Sequence, residues 1–198
     1  MSVTLLIIIV TCVVSIAAFR NQQLLERSLF WPYYVKRNNE WWRFITCGFI
    51  HADYMHLAFN MITLYFFGRI AETYIFPRLE FVLFYVLALV ASNLYSYFRH
   101  KDNFDYRALG ASGAVSAVVF AFIILAPWEK IIIFVIGVPA ILYGVFYLGY
   151  SAYMSRKGYD NIGHDAHLWG GVFGIVYTLA LRPELGRLFL EQLLHFRS

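Results

Sequence analysis

Apolar residues along this chain come in long blocks separated by short polar stretches. Six such blocks, near 3–19, 55–76, 79–98, 109–127, 131–151 and 164–181, approach the ~20 residues a helix needs to cross a bilayer. Pro77, Pro127 and Pro183 follow the second, fourth and sixth blocks, where a residue without an N–H ends a helix. Gly137 and Pro139 fall inside the fifth block, which predicts a kink or loose packing there. The stretch 20–54 breaks the pattern. It is too polar to span, yet it sets Phe30, Trp31, Tyr33, Trp41 and Trp42 beside Arg27, Lys36, Arg37 and Arg43, the composition of a segment lying in the bilayer interface. At about 35 residues it is longer than an ordinary connection, and its aromatic content argues against disorder. After Pro183, charges alternate with leucine and phenylalanine, predicting a short interfacial helix.

Composition turns this pattern into a class. Hydrophobic residues make up 61% of the 198 positions and charged residues 14%, against about 25% charged in a soluble domain. The expectation is an integral membrane protein of a single domain over 1–198. Its fold class is all-α: a polytopic six-transmembrane-helix bundle with a long interfacial first loop. The net charge of +4 lies in small clusters that suit lipid headgroups, and no basic stripe points to nucleic acid. Cys12 and Cys47 match no metal or redox spacing and read as small apolar residues. The first block has neither a basic leader nor a small-residue cleavage site, so it reads as a retained span, not a signal peptide.

Direction then concentrates the polar groups. Successive spans alternate, so the second, fourth and sixth enter from one face. Near its start the second carries His56 and Asn60, the fourth Ser112, and the sixth His167. All lie within the first turns, at a depth of roughly 3–10 Å at 1.5 Å per residue. Polar side chains at that depth are costly and face a bundle interior or a wet cavity. His56 and Asn60 share a helical face at i, i+4. Gly113, Ala117 and Ala121 form a small-residue ridge on the fourth span, and Gly170, Gly174 and Thr178 form one on the sixth. Such ridges let backbones approach closely. If they meet, Ser112 and His167 come within reach of each other.

A serine hydroxyl becomes a nucleophile when a base takes its proton, and an imidazole titrates in the working range. The tetrahedral oxyanion that follows needs donors. The backbone N–H of Ser112, with that of Ala111, His56 and the Asn60 amide, are the candidates. Asp165 is two residues from His167 and on another face, so the arrangement reads as a dyad. Plainer readings compete. His56 and Asn60 can simply bridge helices, and His167 can be a packed core histidine. His51, His56, His164 and His167 can be imagined around zinc, but no H-E-x-x-H helix or thiolate pair supports this. Glycine-rich helix starts also occur at transporter sites, but the broken helices and inverted repeats of that class are not evident.

At these residues the chain resembles the rhomboid family of intramembrane serine proteases. The matches are Trp42-Arg43 in the first loop and His51-x4-His56-x3-Asn60 on the second span. Gly110-x-Ser112-Gly113 on the fourth and Ala166-His167-x2-Gly170-x3-Gly174 on the sixth complete them. They stand in family order and cover nearly the whole membrane core. The resemblance implies Ser112 as nucleophile and His167 as base. It implies an oxyanion hole of His56, Asn60 and the Ser112 backbone. Gly110, Gly113, Gly170, Gly174, Trp42, Arg43 and His51 would be structural support. It further implies single-span transmembrane substrates cut in or beside the bilayer at small residues, with no metal or cofactor. The fifth span and the loop at 152–163 would be gate and cap, and Arg43 would anchor the half-submerged first loop.

Two departures stand out. Family members commonly carry an aromatic four residues after the nucleophile, on which the histidine ring stacks; here that position is Ser116, which leaves the support of His167 open. No soluble N-terminal domain is expected, so the chain reads as a minimal core. Orientation gives conflicting signals. Of sixteen Lys and Arg, six lie on the far side (Arg69, Arg78, Lys130, Arg182, Arg187, Arg197) and the other ten on the site side. The positive-inside rule would turn the site toward the cytoplasm, whereas the family resemblance implies a bacterial inner membrane with the site facing outward. The second is preferred here. The principal alternative to a protease is a catalytically silent relative that binds transmembrane helices.

Overall fold

The computed structural model describes residues 2–133, 135–157 and 163–195. The chain is mostly helical. Helix α1, Val3–Ala18, begins at Ser2, whose side chain accepts from the Leu5 N–H. Its buried residues are Thr4, Thr11, Ser15 and Ala18, while Leu6, Ile9, Val10, Val13 and Ile16 face outward. That inverts the amphipathic helix of a water-soluble core and matches helices that associate through small and hydroxyl residues in lipid. Its free N-terminal N–H groups are taken by Glu72, which accepts from Val3 and Thr4 at 2.8 and 2.9 Å; an anion suits a helix start.

The first loop folds into short helices: α2, Gln22–Ser28, α3, Pro32–Asn38, and α4, Arg43–Thr46. Arg43 is buried and holds them together, donating from Nη1 to the carbonyls of Glu26 and Leu29 at 2.8 Å each and from Nε to Glu40. Trp42, expected as a support, is half exposed (53%). Its contribution runs through its carbonyl, which accepts from Ile45 and Thr46.

The second block forms α5, Tyr54–Thr63, a π-helical turn over Leu64–Gly68 and α6, Arg69–Tyr74. Asp53 caps α5 through the His56 N–H at 2.8 Å. Helix α7, Arg78–His100, is the one helix among the described residues long and apolar enough to cross a membrane; α1 and α8, Ser112–Leu125, are shorter apolar helices. It too buries polar residues, Ser92, Asn93 and Ser96, and exposes Leu79, Leu83, Leu87, Leu94 and Phe98. Helix α8 is the centre of the fold, buried at every residue from Gly113 to Ile124.

The fifth block departs from expectation, adding a short hairpin to a mostly helical chain. Residues 131–151 are not one kinked helix. Strands β1, Lys130–Ile133, and β2, Ile136–Pro139, pair antiparallel with Lys130 opposite Pro139. Helix α9, Ala140–Lys157, starts only after them. A run of Ile and Val suits an extended chain, and Pro139 restricts the residue before it to extended backbone. The N–H groups of Ala140 and Ile141 donate to the carbonyls of Glu129 and Pro127 at 2.8 Å, which fastens the start of α9 to the end of α8. The expected cap at 152–163 lies partly outside the described residues, the rest being the last turns of α9. Helix α10, His164–Leu181, matches the sixth block, and α11, Pro183–Leu194, follows it.

Candidate active site

The site is built where α5, α8, α9 and α10 converge. Chain geometry sets the position of Ser112 first. Gly110 has φ +110, a conformation side chains rarely adopt, and its N–H donates to the Cys47 carbonyl at 2.9 Å. This sharp entry starts α8 at Ser112, leaving the first N–H groups without helical partners. One is already used. The Ala111 N–H donates to Nε2 of His51 at 3.3 Å, so it is not a free oxyanion donor, contrary to the expectation that included it. Because Nε2 accepts, the proton of this ring sits on Nδ1 and donates to Ser15 Oγ at 2.9 Å. Ser15 in turn donates to the Phe49 carbonyl at 2.9 Å. Burial pushes the His51 pKa down to about 3, with His56 adding to the effect and Asp53 opposing it, so this ring is neutral. His51 is therefore a support that ties α1, the first loop and the start of α8 together.

The glycine ridges account for how closely α8 and α10 approach. A methyl group added at Gly170 would overlap the Gly113 carbonyl, one at Gly174 would overlap the Ala117 carbonyl, and one at Gly113 would overlap the Ser92 side chain. The α8 and α10 backbones thus touch directly, as small-residue ridges allow. His167 lies on the first turns of α10, its N–H donating to the Gly163 carbonyl at 3.1 Å. Asp165 faces Arg99 (3.4 Å) and Ser155, away from a triad position.

Ser112, His167 and Asn60 line one cavity of about 140 Å³. Thr63, Ser116 and Tyr147 are among its other walls. Asn60 spends one amide proton on the His56 carbonyl at 2.9 Å, which leaves the second for the cavity. His56 is not among the lining residues. Its ring lies over Gly110, where a Cβ would come within 2.7 Å of Cε1, and its edge meets His51 at 4.9 Å between centroids. It therefore sits beside the turn that presents Ser112.

Two groups escaped the sequence reading. Ser15 was visible in principle, because Thr4, Thr11 and Ser15 recur on one face of an otherwise apolar helix. Tyr147 on α9 packs its ring on that of His167, with centroids 5.9 Å apart and planes 29° apart, and its hydroxyl meets Ser116 Oγ at 2.6 Å. No local spacing signals that pairing.

Comparison with known proteins agrees with this architecture. A Rhomboid domain model matches residues 38–184, so the chain belongs to the rhomboid family. It is 33% identical over 153 residues to RHOMBOID-like protein 12, mitochondrial, of Arabidopsis thaliana, covering 70% of this chain and 46% of that protein. It is 31% identical over 160 residues to Rhomboid-like protein 11, chloroplastic, of the same plant, covering 71% and 52%. With the rhomboid relative YdcA of Bacillus subtilis (strain 168) it shares 31% over 135 residues, 67% of this chain and 63% of that protein. The chain thus spans roughly half the length of these relatives. Family membership supports an integral membrane protein.

Proposed function

We propose that the protein is an intramembrane serine protease whose six apolar segments cross the bilayer and whose Ser112–His167 dyad cuts single-span membrane proteins. The observation that carries this reading is one cavity lined jointly by Ser112, His167 and Asn60. In the proposed reaction His167 takes the Ser112 proton as Oγ attacks the scissile carbonyl. The resulting oxyanion accepts from the Ser112 N–H and the second Asn60 amide proton, while His56, expected as a third donor, stands behind the Gly110 turn. Its collapse breaks the C–N bond, and His167 gives its proton to the leaving amine. A water, deprotonated by His167, then hydrolyses the acyl ester and restores Ser112. One oxyanion donor is worth about 2.7–4 kcal/mol of barrier, so Asn60 is expected to matter nearly as much as the dyad's geometry. On the family resemblance alone, the site opens to the outer face of a bacterial inner membrane; membrane-impermeant labelling of a single cysteine placed at Asp102 in intact cells tests that orientation.

A fluorophosphonate probe on the purified chain tests the chemistry. Labelling that disappears in both Ser112→Ala and His167→Ala supports the dyad. Equal labelling in the variants and the parent overturns it and leaves a helix-binding relative as the reading. Incubation with a panel of single-span proteins, with cut sites read by mass spectrometry, then identifies the substrates.

A further inference from the structure

We propose that Tyr147 is the positioning residue of His167, supplied from α9 and clamped to α8 by Ser116; the proposal rests on the protease reading above. Four residues after Ser112, Ser116 is one helical turn further along the same face, and its short side chain offers no surface on which an imidazole can stack. The structure fills that space from another helix. Ser116 Oγ donates to the Ser112 carbonyl at 2.8 Å. A hydroxyl has one proton, so in the 2.6 Å contact with Tyr147 the tyrosine is the donor. The chain of bonds therefore runs from Tyr147 Oη to Ser116 Oγ to the carbonyl of the nucleophile's own residue. The other end of the same side chain, its ring, braces His167. Tyr143 and Phe120 also pack against that ring, at 5.5 and 5.9 Å between centroids.

One side chain thus touches His167 directly and reaches Ser112 through Ser116. An imidazole must keep its plane and its distance to serine to act as a base. In this chain, the ring that braces the imidazole is itself tied to α8 through its hydroxyl. A tyrosine that only filled a core would tolerate leucine without loss of labelling beyond its loss of stability.

The test measures kinact and KI for a fluorophosphonate on the full chain in detergent, with thermal unfolding beside it. Tyr147→Leu is expected to lower kinact about tenfold or more, as a misplaced reacting group does, with KI and unfolding unchanged. Tyr147→Phe keeps the ring and loses one hydrogen bond, and is expected to stay within roughly threefold of the parent, the size of a weak net hydrogen bond. The double variant Ser116→Tyr/Tyr147→Leu supplies a ring from α8 and is expected to recover kinact. Unchanged kinact in Tyr147→Leu, or a loss that follows thermal stability and that Tyr147→Phe does not rescue, overturns the proposal while the protease reading stands. A parent that is not labelled at Ser112 sinks the protease reading instead. The NMR shift of His167 Hε1 then decides the packing without activity: it moves in Tyr147→Leu and not in Tyr147→Phe, and an unmoved shift in both overturns the positioning role.

Discussion

The Nε2 atom of His51 accepts a hydrogen bond from the backbone N–H of Ala111, so a neutral, buried histidine holds the residue just before the candidate nucleophile. Its ring stays neutral in the folded chain because burial lowers its pKa from 6.5 to about 3. In the unfolded chain it protonates near pH 6.5. The unfolded state therefore binds the extra proton between these values, and folding stability falls as pH drops from about 6.5 toward 3. Chemical unfolding in micelles from pH 7.5 to 4 is expected to show that decline, and His51→Gln is expected to flatten it while lowering the plateau at neutral pH. Parallel pH slopes for the two proteins would count against this account.

Gly110 combines a φ of +110 with a His56 ring in the space of its missing side chain. Gly110→Ala must strain the backbone and displace His56, at a cost of about 1–3 kcal/mol. Fluorophosphonate labelling of Ser112 is expected to fall further than that stability loss explains, because the turn that aims Ser112 and the ring beside it move together. Wild-type labelling rates in a folded Gly110→Ala variant would contradict this.

Gly170 and Gly149 offer a controlled pair. A Cβ at Gly170 meets the Gly113 backbone, whereas one at Gly149 meets nothing within 4 Å. Gly170→Ala is expected to destabilise by about 1–3 kcal/mol or more, since backbone cannot rotate away. Gly149→Ala, in the interior of α9, is expected to be neutral or to stabilise by up to about 1 kcal/mol. Thermal unfolding of the two variants side by side checks the ranking, and equal effects would refute it.

Arg43 donates to two backbone carbonyls and to Glu40 from a buried position. Arg43→Lys keeps the charge but lacks the planar fork. It is expected to lose about 1.5–3 kcal/mol, the worth of hydrogen bonds to a charged group, and to raise proteolytic nicking between residues 20 and 54. Unchanged nicking would show that the first loop is held by other contacts.

Much of the helical layout was legible because apolar blocks with proline ends admit few alternatives. The sixth block, 164–181, and α10, His164–Leu181, coincide. The hairpin was not legible: Ile131, Ile132, Ile133, Val135, Ile136 and Val138 are as apolar as any span, and short β-branched runs cannot be told from helix by hydropathy alone. The π-helical turn at Leu64–Gly68 has no period of its own. The meeting of α8 and α10 could be read from small residues spaced by four in both helices, Gly113, Ala117 and Ala121 against Gly170 and Gly174. Tyr147 could not, because Ser116 marks a vacant support without saying which distant residue fills it.

The direct touch of Gly113 with Gly170 and of Ala117 with Gly174 has a consequence for access. No side chains lie between those backbones to swing aside, and a close-packed seam yields only by parting whole helices. Ser112 and His167 therefore travel as one rigid piece. Under the proposed function, a peptide reaching them slips past the walls that do have movable parts, Phe59 and Thr63 on one flank and Tyr143 on the other.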